Sequence, residues 1–194
     1  MDFAEKKIEY HPLEPFIPNG ARVLLLGSFP PPRGRWSMDF FYPNFLNDMW
    51  RIMGLVFHGD RQYFTEGRKF RQAAIEEMLT RHGIGVYDTA RAVRRLKDNA
   101  SDKFLEIVEP TDISLLLRAH PTLVAVAATG EKAAQTLAER FGTAVPRTGE
   151  CLQTVCDGRS VAFYRMPSSS RAYPLPLDRK AEAYRRMFKA VGIV

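Results

Sequence analysis

Hydrophobic positions along this chain fall into short unbroken runs, separated by stretches in which they recur every three to four residues. The first run, ARVLLLG over residues 21–27, sets four apolar residues side by side and stops at Gly27. Such a run reads as a strand buried on both faces. GIGVYD (83–88), residues 123–128 and SVAFYRMP (160–167) read the same way. Between them lie helical patterns. In DMWRIMGLVF, Trp50, Met53 and Phe57 share one face, and Asn47 stands where an N-cap is expected. GRKFRQAAIEEMLTRHG carries a stripe of Phe70, Ala74 and Met78 and ends at Gly83, a C-terminal cap. Thr111 is placed to cap a helix over DISLLLRAH. EKAAQTLAERFG follows Thr129-Gly130 directly, and LDRKAEAYRRMFKAVG forms the last helix. Residues 91–110 read as polar and irregular. HPLEPFIPNG, with three prolines in ten residues, reads as extended.

Buried strands alternating with amphipathic helices predict parallel βαβ units. The expected fold class is α/β: a three-layer α/β/α sandwich around a four-stranded, mostly parallel sheet. A single domain over residues 1–194 is expected, with residues 1–20 as an extended N-terminal segment. Ligands of such sheets bind beyond the carboxyl ends of the strands. The informative loops are then those after Leu26, Val86, Ala128 and Met166.

Composition narrows the function classes. A hydrophobic share of 45% and a charged share of 26% suit a folded soluble chain. The longest apolar runs are too short to cross a bilayer, and the N-terminus has no signal-type apolar stretch; a cytoplasmic protein without membrane partners is expected. Cys151 and Cys156 are too few for an all-cysteine metal site. His11, His58, His82 and His120 show no paired ligand spacing, so no metal is expected. Lysine and arginine exceed aspartate and glutamate by 28 to 22, a bias toward polyanions. Neither a GxGxxG nor a Walker-type loop is present, which leaves a generic nucleotide-binding domain without a motif.

The unusual residues lie in the predicted strand-end loops: LLLGSFP followed by FFYPNFLNDMW, then GIGVYD, then SDKFLEIVEPTDISLLLRAHPTLVAVAATGEKAA, and finally MPSSSRAY. In this order, over nearly the whole chain, they resemble the uracil-DNA glycosylase superfamily. The nearest likeness is to its DNA-deoxyinosine (hypoxanthine-DNA) glycosylase branch. The resemblance implies a monomer that works without metal or cofactor. Such a protein turns a damaged base out of DNA and hydrolyses its glycosidic bond.

The resemblance also implies roles. Gly27, Ser28 and Phe29 border the base, and Tyr42 stacks on it; from the residues alone, Tyr42 is equally a core aromatic beside Phe40 and Phe41. Phe29 occupies the position where many relatives carry a polar residue that handles water. The deoxyinosine branch lacks that group and uses an asparagine, which corresponds to Asn47, here a catalytic amide, a helix cap, or both. Asn44 stands in place of a histidine and supplies a second amide. Asp88, at a strand end, either contacts the base or orients a loop. Ser168, Ser169, Ser170 and Arg171 match the loop that grips phosphates and fills the gap left by the base. Thr129 and Gly130 open a helix whose free amides suit an anion. Because Phe29, Asn44 and Met49 depart from the pattern, a catalytically silent DNA- or lesion-binding protein is the alternative.

Overall fold

The structure is a computed structural model that describes residues 7–97 and 102–194. Its centre is a five-stranded sheet. β2 (Val23–Gly27) lies between β5 (Ile84–Asp88) and β8 (Ala125–Ala128), all parallel, and β10 (Arg159–Arg165) extends the sheet parallel to β8. Every residue of β2, β5 and β8 is buried, as expected for strands covered on both faces. These are the four predicted strands. A fifth, β9 (Cys151–Cys156), joins the edge antiparallel to β10. Its burial alternates, and Val155 is 64% exposed, so its sequence lacks the solid apolar run that marks the central strands.

Helices cover both faces. α1 (Met49–His58) packs on α5 (Leu177–Ala190) through Phe57 and Phe188, and Arg185 donates to the Leu55 carbonyl. α3 (Ile113–Ala119) and α4 (Glu131–Phe141) are joined by Arg140, which donates to Ser114. The crossovers from β2 to β5 and from β5 to β8 run in opposite directions along the sheet; given the right-handedness general to such connections, this sets the two helix pairs on opposite faces. α2 (Gln72–His82) completes the β2–β5 crossover. Its C-cap Gly83 is left-handed at φ 65°, as the sequence predicts. Trp50, Phe163, Tyr184 and Phe188 are fully buried between the layers, each contributing about 1.5–3 kcal/mol of apolar burial.

Three further details depart from the sequence reading. Residues 91–110 are not irregular where they are described. β6 (Ala90–Arg95) pairs with β7 (Leu105–Pro110) and with β1 (Ile8–Tyr10) in a separate antiparallel sheet. Register shifts at Ala90/Ala92 and Ala92/Val93 break its period of two, which hides the strand in the sequence. Thr111 does not cap α3; Asp112 does, accepting from the Leu115 amide, while the Thr111 hydroxyl donates to the Asp88 carbonyl. Phe70 belongs to a small hairpin of β3 (Thr65–Glu66) and β4 (Lys69–Phe70), ahead of α2; the buried stripe of α2 is Ile75, Met78 and Leu79. In the opening segment, residues 11–18 hold no helix, and Phe16 bridges to Val86 at the free edge of β5. Residues 98–101, inside the 91–110 stretch and including Ser101 at the start of one motif of the family resemblance, lie outside the described residues, as do residues 1–6 of the expected opening segment. Among the described residues, no helix is long and apolar enough to cross a membrane.

Candidate active site

A cleft of about 1100 Å³ opens at the carboxyl ends of β2, β5, β8 and β10, where an open α/β sheet is expected to bind its ligand. Gly27, Ser28 and Phe29 line it from the β2 loop, Tyr42, Asn44 and Asn47 from the following segment, and Asp88 from β5. Thr129 and Gly130 line it at the start of α4, and Ser168, Ser169 and Ser170 after β10. Arg171 does not line it. Its half-exposed side chain lies on the flank, with Nε 3.5 Å from Asp48 Oδ1.

Tyr42 spans the floor. Its hydroxyl hydrogen-bonds the Thr129 hydroxyl at 2.8 Å, and its ring meets Trp50 edge-on at 5.9 Å. Its backbone is left-handed at φ 49°, a conformation that costs a non-glycine residue roughly 1–3 kcal/mol. Burial of the hydroxyl, then the nearby Asp88 charge, raises the Tyr42 pKa well above the ordinary value, so it stays neutral. Trp50 is fixed in turn: it is fully buried, and its indole N–H donates to the Phe41 carbonyl.

Both asparagines spend their oxygens locally. Asn47 Oδ1 accepts from the Met49 amide at 2.9 Å, and Asn44 Oδ1 accepts from the Leu46 amide at 3.0 Å. The N-cap position expected for Asn47 belongs to Asp48, which makes no side-chain cap bond; Asn47 stands one residue earlier, where its short side chain reaches the first helical amide, and it lines the cleft as well. Neither Nδ2 has a protein partner among the described residues, so both amides are free to donate. Phe29 is turned aside, into a small cluster with Ala90, Val93 and Leu105 and edge-on to His11. Phe45 packs on Phe70 and Arg51. The cleft is therefore open rather than plugged by an aromatic ring.

Gly27 is required by a close approach. A Cβ there would stand 2.4 Å from Asp88 Oδ1 and 3.5 Å from the Tyr42 hydroxyl. Asp88 Oδ2 accepts from His11 Nε2 at 2.8 Å. Tyr87, just before it, is pushed up to about 12, chiefly by burial. Asp102 also lines the cleft; desolvation raises its pKa, while a hydrogen bond from Ser28 opposes the shift. Arg35, Lys103, Lys132 and Arg165 add positive charge around this acidic floor, and they suit an anionic backbone passing over it.

The serine loop is held from below by residues that the sequence reading does not single out. Lys180, 1% exposed, extends from α5 to Asp48 Oδ2 at 3.2 Å and to the Ser170 carbonyl at 2.8 Å. The Asp48 amide donates to the Ser169 carbonyl at 2.8 Å, and the Tyr184 hydroxyl donates to the Pro167 carbonyl at 3.2 Å. Asp48 follows Asn47 directly, so one buried pair ties the candidate amide to the serine loop. The nearest sequence signal is a lysine among the apolar positions of an amphipathic helix.

No family model matches the chain, and no curated protein matches it. Among solved structures it is similar to a solution structure from Methanosarcina acetivorans described as a "putative Uracil DNA glycosylase". The two are 19% identical, and the match covers 95% of this chain and 99% of that one, with a TM-score of 0.61. The chain therefore shares the fold of that protein, here an α/β sandwich around a mostly parallel sheet.

Proposed function

We propose that this protein is a monofunctional DNA glycosylase that releases a deaminated base, hypoxanthine or uracil, by turning the nucleotide into the cleft and hydrolysing its N-glycosidic bond. The observation that carries this reading is convergence. Tyr42, the free amides of Asn44 and Asn47, and the serine loop come from segments up to about 130 residues apart, yet line one open cleft. The fold shared with the Methanosarcina acetivorans protein supports it.

The chemistry follows from charge. Cleavage leaves positive charge on the sugar and negative charge on the departing base, and fixed donors near the base lower the barrier. Asn47 Nδ2, with Asn44 Nδ2 beside it, supplies them. Tyr42 offers a face for stacking, worth roughly 1–3 kcal/mol per base. Ser168, Ser169 and Ser170, with the amides after Thr129 and Gly130, receive phosphates. Arg171, from the flank, reaches toward the duplex.

The test uses labelled oligonucleotides, single- and double-stranded, each with one deoxyuridine or deoxyinosine, followed by hot alkali. Strand cleavage at the modified position is expected, and Asn47→Ala is expected to lose turnover while retaining DNA. Salt-sensitive binding without release of any deaminated base would favour a silent lesion-binding protein, a reading motivated by Phe29, which offers no polar group to a water.

A further inference from the structure

The two carboxylate oxygens of Asp88 face different surroundings. The side chain is 9% exposed. Oδ2 is occupied by Nε2 of His11, itself 2% exposed. Oδ1 has no protein partner among the described residues; it sits over Gly27 on the cleft floor. His11 is fixed on every side. Its Nδ1 faces the Leu13 carbonyl at 2.9 Å and the Leu13 amide at 3.1 Å. Its ring packs on Phe29 at 5.3 Å, Tyr87 at 4.7 Å and Phe41 at 6.1 Å. Asp88 therefore cannot rotate freely: one oxygen is anchored, and the other is presented to whatever occupies the floor.

The sequence reading leaves Asp88 either in contact with the base or orienting a loop, and charge argues against the base. A deaminated base presents a ring N–H beside a carbonyl. An amide matches both groups, whereas a carboxylate can only accept, and its charge opposes the adjacent carbonyl. As the bond breaks, the base becomes anionic, and a neighbouring carboxylate would raise the barrier. The sugar becomes cationic, and there the same carboxylate lowers it. The free donors, Asn44 and Asn47, belong with the base, and the free acceptor belongs with the sugar and the water. In the β2 loop Phe29 is apolar and the Ser28 hydroxyl is bonded to Asp102, which leaves that task to another strand.

We propose that Asp88 Oδ1 holds and polarises the attacking water on the sugar side, with His11 as its positioning residue. This rests on the glycosylase reading. The water oxygen bonds to C1′ as the C1′–N bond breaks. The bonding pair leaves with the base, and the water proton passes to the Asp88 carboxylate and from there to solvent or to the departed base.

Asp88→Asn is nearly isosteric and can keep the His11 bond by turning its oxygen to Nε2, which presents a donor where the acceptor stood. Its fold is checked by thermal unfolding. Under single-turnover conditions it is expected to lose about 10²–10³-fold in rate on both deoxyuridine and deoxyinosine substrates, with binding of uncleaved DNA little changed. Wild-type protein is expected to bind DNA carrying a cationic pyrrolidine abasic mimic about 10-fold or more tighter than the neutral tetrahydrofuran analogue, and Asp88→Asn is expected to lose that preference. His11→Leu should lower the rate on both substrates, and His11→Gln, which keeps a donor, should recover part of it. A loss confined to one base would move Asp88 to the base edge and overturn the assignment, as would an unchanged preference for the cation. If wild-type protein releases neither base yet prefers the cation, the substrate reading fails and the Asp88 assignment stands. If wild-type protein releases a base and Asp88→Asn does so equally fast, the assignment fails and the reading stands.

Discussion

Replacing Lys180 by methionine tests how strongly the buried pair beneath the serine loop holds the site. Lys180 is 1% exposed, and the Asp48 side chain is 11% exposed. Methionine keeps the length of the lysine stem but removes the charge and its bonds to Asp48 Oδ2 and the Ser170 carbonyl. Among the described residues, Asp48 then has Arg171 Nε at 3.5 Å, on a half-exposed side chain, and the through-space charge of Arg51, but no buried hydrogen-bond donor to its carboxylate. Stranding one partner of a buried pair costs about 3–5 kcal/mol. For 194 residues, at about 2.1 cal/mol/K per residue, the unfolding entropy is about 0.4 kcal/mol/K, which converts that loss into a Tm decrease of about 7–12 °C. Differential scanning calorimetry of Lys180→Met reads it directly. The paired variant Lys180→Met with Asp48→Leu removes both charges, and it should recover most of the loss because no ion is left uncompensated. The damage should also reach function: DNA affinity should fall in the single variant, since the same pair fixes the Ser169–Ser170 backbone. A Tm within 2 °C of wild type for Lys180→Met would refute the reasoning, and so would a paired variant less stable than the single one.

Other expectations follow from single contacts. Gly27→Ala should lower turnover at least 10-fold with a modest change in Tm, because the new Cβ must displace Asp88 Oδ1; single-turnover rates and calorimetry together check this. Asp102→Asn should stabilise the protein at neutral pH but not in acid. Its folded pKa lies above 3.8, so stability is lost as pH rises from 3.8 through the folded value; urea titrations at pH 3 and pH 7 compare the two regimes, with a small effect expected because the residue keeps solvent-exposed surface. Arg165→Gln removes one cation from the cleft wall; the slope of log binding constant against log salt should fall by about 0.7–0.9 for one phosphate contact, read by fluorescence anisotropy. Thr89→Val should leave stability unchanged or raise it by about 1 kcal/mol, since the Thr89 hydroxyl is buried without a partner among the described residues; chemical denaturation tests it.

The central sheet is legible in the sequence because β2, β5 and β8 are buried on both faces, and burial on both faces leaves a solid apolar run. Helix ends are legible where a left-handed glycine such as Gly83 stops the chain. The second sheet is not legible, because register shifts inside β6 disrupt its alternation and its exposed positions are arginines. The strand-end loops can be read because a parallel sheet places its cleft there whatever the side chains are. The supports of the site cannot: His11 and Asp88 are 77 residues apart, and Asp48 and Lys180 are 132 apart. A charge that finds its partner only in three dimensions leaves no periodic mark, and in a linear reading His11 is one of four scattered histidines.

The proline-rich stretch near the start of the chain resembles a dispensable leader, yet it delivers an imidazole to the floor of the cleft. Trimming the protein to a tidier boundary at residue 12 would remove β1 and His11 yet keep Leu13, Phe16 and Ile17 on the core, with β2, β5, β8 and β10 and their helices, and circular dichroism would report a healthy domain. The Asp88 carboxylate would nevertheless lose its anchor. A shortened version that folds well and does nothing would then report on where it was cut, and not on what the uncut chain can do.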